Sequence, residues 1–249
     1  MIYVVTHKNV DLKLPDNYVL LGVGDNEIVG EHIHDNIYDN ISSKNRNYCE
    51  LTGLYWLWKN DVDSIVGLNH YRRLFTVDDI ESVDIISYSE IVDILGKYDI
   101  ILPPLFNNCD KTVYEHYCDA HKKKDIDMVR DIIKICNPSY ISSFDYIMNQ
   151  NYEYGFNMFI STKELCDEYC NWLFNIFDVL ENKIDLSGYD EYQQRVFGFL
   201  SERLFTVWIY SKSLNVKELY VRNPFVDDCV TRQKKIVKMN NAFKTKFIM

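Results

Sequence analysis

Short β-rich runs alternate with stretches of helical period along nearly the whole chain, and that alternation limits the fold more than any single residue does. "IYVVT" (2–6), "YVLLGVG" (18–24), "SIVGL" (64–68), "KYDIILPP" (97–104), "YGFNMFIS" (154–161) and "VKELYVR" (216–222) read as strands. Between them, 43–59 carries Leu51, Leu54, Tyr55 and Trp58 at three- and four-residue spacings, with Ser42 or Ser43 as N-cap. The segment 112–136 predicts one or two helices, and 162–184 and 189–212 predict one each. Strands separated by helices require crossover connections, which predicts an α/β domain around a mainly parallel sheet. No internal repeat or low-complexity linker divides the chain, so the expected organisation is one domain over 1–228 and a basic C-terminal tail at 229–249.

Composition narrows the class. A chain of 249 residues that is 47% hydrophobic can fill a sizeable core. It contains no run of 18 apolar residues, and "MIYVVTHKNVDLK" has neither a basic leader nor a small-residue cleavage site, so a cytoplasmic location is expected. Seven cysteines without a compact pattern indicate a reducing compartment. Cys166 and Cys170 lack a Cys-His pair at zinc spacing and read as free buried thiols. A net charge of -10 disfavours nucleic acid. The segment 232–249 departs from this with six Lys/Arg and no acid, interleaved with Ile, Val, Met and Phe. Such a tail suits an anionic membrane surface, at about 1 kcal/mol per cation, or else forms a solvated chain end.

In open α/β sheets ligands bind beyond the carboxyl ends of the strands. Three strand ends supply polar groups: Thr6, His7 and Lys8; Asn69, His70, Tyr71, Arg72 and Arg73; and Pro103 with Asn107 and Asn108. Arg72 and Arg73 are permanently charged forks suited to phosphate or carboxylate oxygens, while His70 and Tyr71 add donors and an aromatic face. The competing reading pairs the two arginines with Asp78 and Asp79 on the surface. In 189–212, Glu191, Arg195, Gly198 and Glu202 fall on one helical stripe, and a mid-helix glycine suggests close approach of a ligand or another backbone. If the stripe faces a cleft, Asp190, Glu191 or Glu202 is the candidate general base; otherwise Arg195 forms an ion-pair ladder with Glu191 and Glu202. Alternation in "YGFNMFI" points Asn157 away from Met158, and Asn45 and Glu50 lie on no common face of their helix. Nineteen tyrosines and four tryptophans exceed the needs of a core and suit either sugar stacking or a protein interface.

Five ordered blocks, "CELTGLYWLWKN" (49–60), "VGLNHYRRLF" (66–75), "DIILPP" (99–104), "YGFNMFI" (154–160) and "YQQRVFGFLSERLF" (192–205), resemble the bacterial capsular and exopolysaccharide glycosyltransferase-like family, long catalogued only as a domain of unknown function. The resemblance implies a GT-A-like (Rossmann-like) nucleotide-sugar-binding domain that moves a hexosyl unit from a UDP-sugar, with galactose in pyranose or furanose form favoured. The implied acceptor is a growing surface polysaccharide or lipid-linked glycan at the inner face of the plasma membrane. Strand ends, helical stripe and resemblance together give Glu202, Asp190, Arg72 and Arg73 as the candidate catalytic set. The donor-binding and nucleotide-binding set is Thr6, His7, Lys8, Asn45, Glu50, His70, Tyr71, Asn157, Arg195 and Arg203. Many GT-A enzymes hold Mn or Mg on an Asp-x-Asp motif, yet "NHYRR" stands where that motif would fall. "DVD" (61–63) lies at the wrong end of its strand and "DID" (125–127) inside a helix, so both read as solvated carboxylates and the two arginines as the charge that a metal supplies elsewhere. A non-catalytic nucleotide-sugar-binding module is the alternative. A phosphotransferase would need a Gly-rich phosphate loop that the sequence lacks.

Overall fold

The structure, a computed structural model, describes residues 1–25, 28–30, 32–77 and 84–225. The basic tail, Cys229 and the carboxylates Asp78 and Asp79 lie outside these. Seven strands form the central sheet: β1 (Ile2–Thr6), β2 (Tyr18–Gly22), β3 (Ile33–His34), β4 (Ile65–His70), β5 (Ile100–Leu102), β6 (Phe159–Thr162) and β7 (Val216–Glu218). Their order is 3-2-1-4-6-5-7, and only β6 runs antiparallel to its neighbours. This is the expected α/β architecture with a mainly parallel sheet. Both faces of the sheet are covered, as parallel sheets require. On β1, Ile2 and Val4 enter one apolar cluster while Tyr3 and Val5 enter the other.

The helices are α1 (Asn45–Tyr48), α2 (Leu51–Asn60), α3 (Tyr88–Leu95), α4 (Val113–Ala120), α5 (Lys123–Cys136), α6 (Ile141–Met148), α7 (Lys163–Glu181) and α8 (Val196–Lys212). Ser87 and Thr112 start α3 and α4 with capping boxes closed by Glu90 and Glu115, and Thr162 accepts from Leu165 N–H to start α7. Two short antiparallel ribbons sit beyond the sheet: Leu74–Phe75 with Val221–Arg222, and Phe106–Asn107 with Tyr152–Glu153. Among the described residues no helix is long and apolar enough to cross a membrane.

Four expected elements differ, and three of the differences shape the cleft. The helix expected over 43–59 breaks at Cys49, whose φ of 53° ends α1 before α2 begins. The strand expected over 154–161 shortens to β6, because Phe156 (φ 76°) and Asn157 (φ 47°) adopt left-handed backbone. The helix expected from 189 starts at Val196, after a 3₁₀ turn over Gln193–Arg195. The run 216–222 divides between β7 and a ribbon strand. "DVD" is not fully solvated. Asp63 takes the Met1 ammonium at 2.6 Å, with the buried Asp61 carboxylate 3.9 Å away, at the end of the sheet opposite the cleft. In "DID", Asp125 is buried and accepts from Tyr189 Oη at 2.6 Å, because α5 turns that side chain inward. Cys166 and Cys170 are buried thiols with Sγ atoms 3.9 Å apart.

Candidate active site

At the carboxyl ends of β1, β2 and β4 lies a cleft of about 850 Å³. Beyond β4 the chain reverses sharply: Arg73 N–H donates to His70 O (2.8 Å) and His70 N–H to Arg73 O (3.1 Å), leaving Tyr71 and Arg72 at the corner. Tyr71 is buried against His7, with ring centroids 5.4 Å apart at 83°, while Arg72 is exposed along the cleft with its guanidinium 5.2 Å from the Tyr71 ring. Arg73 stacks on Phe156 at 4.1 Å. His70 forms part of the wall, and burial followed by the neighbouring Arg73 charge pushes its pKa down to about 3. Its imidazole is therefore neutral at any physiological pH.

The opposite wall comes from α1 and the approach to α8. The break at Cys49 carries Asn45 and Glu50, which a continuous helix would separate, into the same cleft. Asn45 Nδ2 secures the break by donating to Cys49 O (2.8 Å) and Thr52 Oγ1 (3.0 Å). Arg195 Nε donates to Cys49 Sγ at 3.2 Å. Burial pushes the Cys49 thiol up to about 11, so it stays protonated. Two half-buried carboxylates form the floor. Glu50 Oε1 accepts from Asn157 Nδ2 at 2.7 Å, and Glu202 Oε1 accepts from Phe156 N–H at 3.0 Å. The left-handed pair Phe156–Asn157 thus presents one donor to each carboxylate. Burial raises the pKa of both; at Glu202 the Arg203 charge opposes the rise and the Glu50 charge adds to it, while at Glu50 the Asn157 hydrogen bond and the Arg195 and Arg73 charges oppose it.

The expected site residues divide into three groups. His7, Asn45, Glu50, His70, Tyr71, Arg72, Arg73, Arg195 and Glu202 line the cleft. Asn157 stands behind Glu50 as its donor. Thr6, Lys8, Asp190 and Arg203 are placed elsewhere. Thr6 Oγ1 is spent on Lys8 O (2.6 Å), Lys8 lies 5.2 Å from the Tyr71 ring, and Asp190 Oδ1 caps Gln193 N–H (2.8 Å) at the 3₁₀ turn. Arg203 is buried, paired with Glu153 (3.2 Å) and Glu202 (2.8 Å). Asn107 and Asn108 are also elsewhere: Asn108 donates to Glu153 at 3.0 Å and Asn107 Oδ1 accepts from Cys109 N–H. Residues not foreseen in the wall are Arg46 and Cys49. On a regular helix Arg46 shares a face with Glu50 and Cys49 with Asn45, so the i,i+4 spacing was the signal that could have found them.

Glu191, Arg195 and Glu202 do share the cleft, but Arg195 forms no ion-pair ladder with them among the described residues. The neighbours of Gly198 are the Cys49 side chain, 3.4 Å from where a Cβ would stand, and the Tyr48 carbonyl oxygen at 3.9 Å. Among the described residues no group of three His, Cys, Asp or Glu side chains is disposed to hold a metal ion. Glu50 and Glu202 each accept one protein donor here, beside the guanidinium groups of Arg72, Arg73 and Arg195. What the cleft can do chemically is bind an anion against guanidinium groups beside two carboxylates of raised proton affinity.

A family model described as a domain of unknown function (DUF4422) matches residues 1–213. No curated protein matches the chain. Among solved structures, that of the apo WbbM bifunctional glycosyltransferase matches with a TM-score of 0.79 at 30% sequence identity. The match covers 88% of this chain and 44% of that one, so the chain spans under half the length of the structure it resembles.

Proposed function

The chain belongs to the DUF4422 family, and from that membership, its likeness to a glycosyltransferase and the chemistry of its cleft we propose that it transfers a glycosyl unit from a nucleotide sugar to an acceptor hydroxyl. The observation that carries the reading is the meeting of Arg72, Arg73 and Arg195 with the raised carboxylates Glu50 and Glu202 around one cleft at the sheet's carboxyl end. The guanidinium groups bind the diphosphate and stabilise the charge that grows on it. One preorganised donor of this kind contributes about 3 kcal/mol to the transition state. The acceptor oxygen attacks the anomeric carbon, the anomeric C–O bond to the diphosphate breaks with its electron pair leaving on the diphosphate, and the hydroxyl proton passes to Glu202.

Glu202 suits the base role better than Asp190 because it lies in the cleft and burial lifts its pKa towards neutrality, whereas the Asp190 carboxylate is committed to a turn. Asn157 holds Glu50, and Glu50 in turn meets donor hydroxyls. The donor is a UDP-hexose, with UDP-galactose first on the strength of the sequence resemblance, and the acceptor a surface or lipid-linked glycan. Binding of the basic segment 232–249 to anionic vesicles, lost on deletion from Arg232, is expected of a protein working at a membrane face.

The test is turnover of a panel of UDP-hexoses followed by release of UDP. Transfer or hydrolysis lost in Arg72→Ala and kept in the exposed-surface control Lys134→Ala supports the reading. UDP-sugar binding without release of UDP by the wild type would instead indicate a binding module on the same fold.

A further inference from the structure

Beside the cleft, three rings pack into one stack that the donor chemistry above leaves unused. His121 lies 4.0 Å from Phe199 at an interplanar angle of 23° and 5.8 Å from Tyr192 at 20°, and Tyr192 and Phe199 are 5.0 Å apart. An aromatic cluster that served only the core would be covered. Tyr192 is 52% exposed.

The stack is joined to the cleft through α8 and the turn before it. The Arg195 guanidinium, whose Nε reaches Cys49 in the cleft wall, also sits 5.4 Å from the Phe199 ring. Glu202 is three residues beyond Phe199 and so lies on the same side of the helix. Tyr192 directly follows Glu191, another wall residue. Phe199, which packs against the exposed ring, thus has the Arg195 guanidinium beside it and Glu202 one turn along the same helix. Sugars fit that arrangement: one pyranose face presents C–H groups that pack on an aromatic plane, while the hydroxyls at its rim need polar partners.

We propose that Tyr192, supported by Phe199 and His121, is the platform on which the acceptor's sugar ring stacks, with the hydroxyl to be glycosylated turned towards Glu202. This inference rests on the glycosyl-transfer reading, and its test separates the two. Saturation-transfer NMR on the wild-type chain with methyl β-galactopyranoside and methyl α-mannopyranoside reads acceptor contact without any turnover. In parallel, UDP affinity and UDP-hexose hydrolysis read the donor side.

The expected result is that Tyr192→Ala loses the saturation-transfer signal and raises the acceptor KM about tenfold, with UDP affinity unchanged. Tyr192→Trp restores both, and Tyr38→Ala, at another exposed tyrosine 78% accessible, changes neither. A wild type that contacts neither glycoside, or a Tyr192→Ala protein with an undiminished signal and acceptor KM, would overturn the platform while leaving the donor cleft intact. Loss of UDP affinity in Tyr192→Ala would also overturn it, by placing the ring on the donor side.

Discussion

Two charged clusters stand side by side at the carboxyl end of the sheet, built from the same residue types and used in opposite ways. In the closed one, Arg203 and Glu153 are both buried, and their groups are shared with Glu202, His116, Asn108 and the Phe199 carbonyl. Burial pushes the Glu153 carboxyl up, yet Arg203, His116 and Asn108 together overcome it and hold the pKa below the usual value. In the open cluster, among the described residues, Arg72 lies against an aromatic ring and Arg195 against a ring and a thiol, and neither makes a salt bridge there. There the half-buried carboxylates keep raised proton affinity. A cluster that satisfies itself contributes to the fold. One whose cations face a cleft is prepared for an anion from outside. Glu202 belongs to both, with Oε2 on Arg203 and Oε1 on the cleft loop.

The sharpest way to break this contrast is to remove a cation from each cluster. Arg203→Met leaves Glu153 buried without its partner and should cost about 3–5 kcal/mol in urea denaturation. Arg72→Ala removes an exposed side chain and should change stability by no more than about 0.5 kcal/mol. It should nevertheless lower kcat/KM for transfer by about 10²-fold. Equal stability losses in the two variants would erase the distinction.

Protonation sharpens it further. His70 is held neutral in the folded protein, its pKa lowered to about 3, so its contribution to stability is complete above the unfolded value near 6.5 and is lost as pH falls below it. His70→Gln should therefore flatten the fall in melting temperature between pH 7 and pH 4. Glu50 behaves in the opposite sense. Its raised pKa means its favourable contribution exists below the unfolded carboxylate value and disappears as pH rises through the folded one. Glu50→Gln should therefore raise Tm more at high pH than at pH 4, the gain growing as pH rises. The smallest effect is expected at Gly198. A Cβ there meets Cys49 only at 3.4 Å, an ordinary contact, so Gly198→Ala should stabilise by about 0.5–1 kcal/mol through helix propensity.

Much of the architecture was legible because it is periodic. The alternation of apolar runs announced β1, β2, β4, β5 and the long helices α7 and α8, and the polar tip after β4 announced Arg72 and Arg73. What escaped was set by contacts distant in sequence. No local pattern tells that the chain returns from α4–α6 to the cleft end of the sheet and so runs β6 backwards. None tells that Phe156 and Asn157 take left-handed backbone to meet Glu202 and Glu50, 46 and 107 residues away. Helical spacing put Asn45 and Glu50 on different faces, and the break at Cys49 reunites them. The motif containing both Glu202 and Arg203 could not reveal that one faces the cleft and its neighbour the interior.

The most direct test of the central claim is the thermal shift produced by UDP on the wild type and on an Arg72→Ala/Arg73→Ala protein. At a hundred times its dissociation constant, UDP should stabilise the wild type by about 2.7 kcal/mol and leave the double variant's melting unchanged. The same stabilisation in both would place the diphosphate elsewhere and contradict the account.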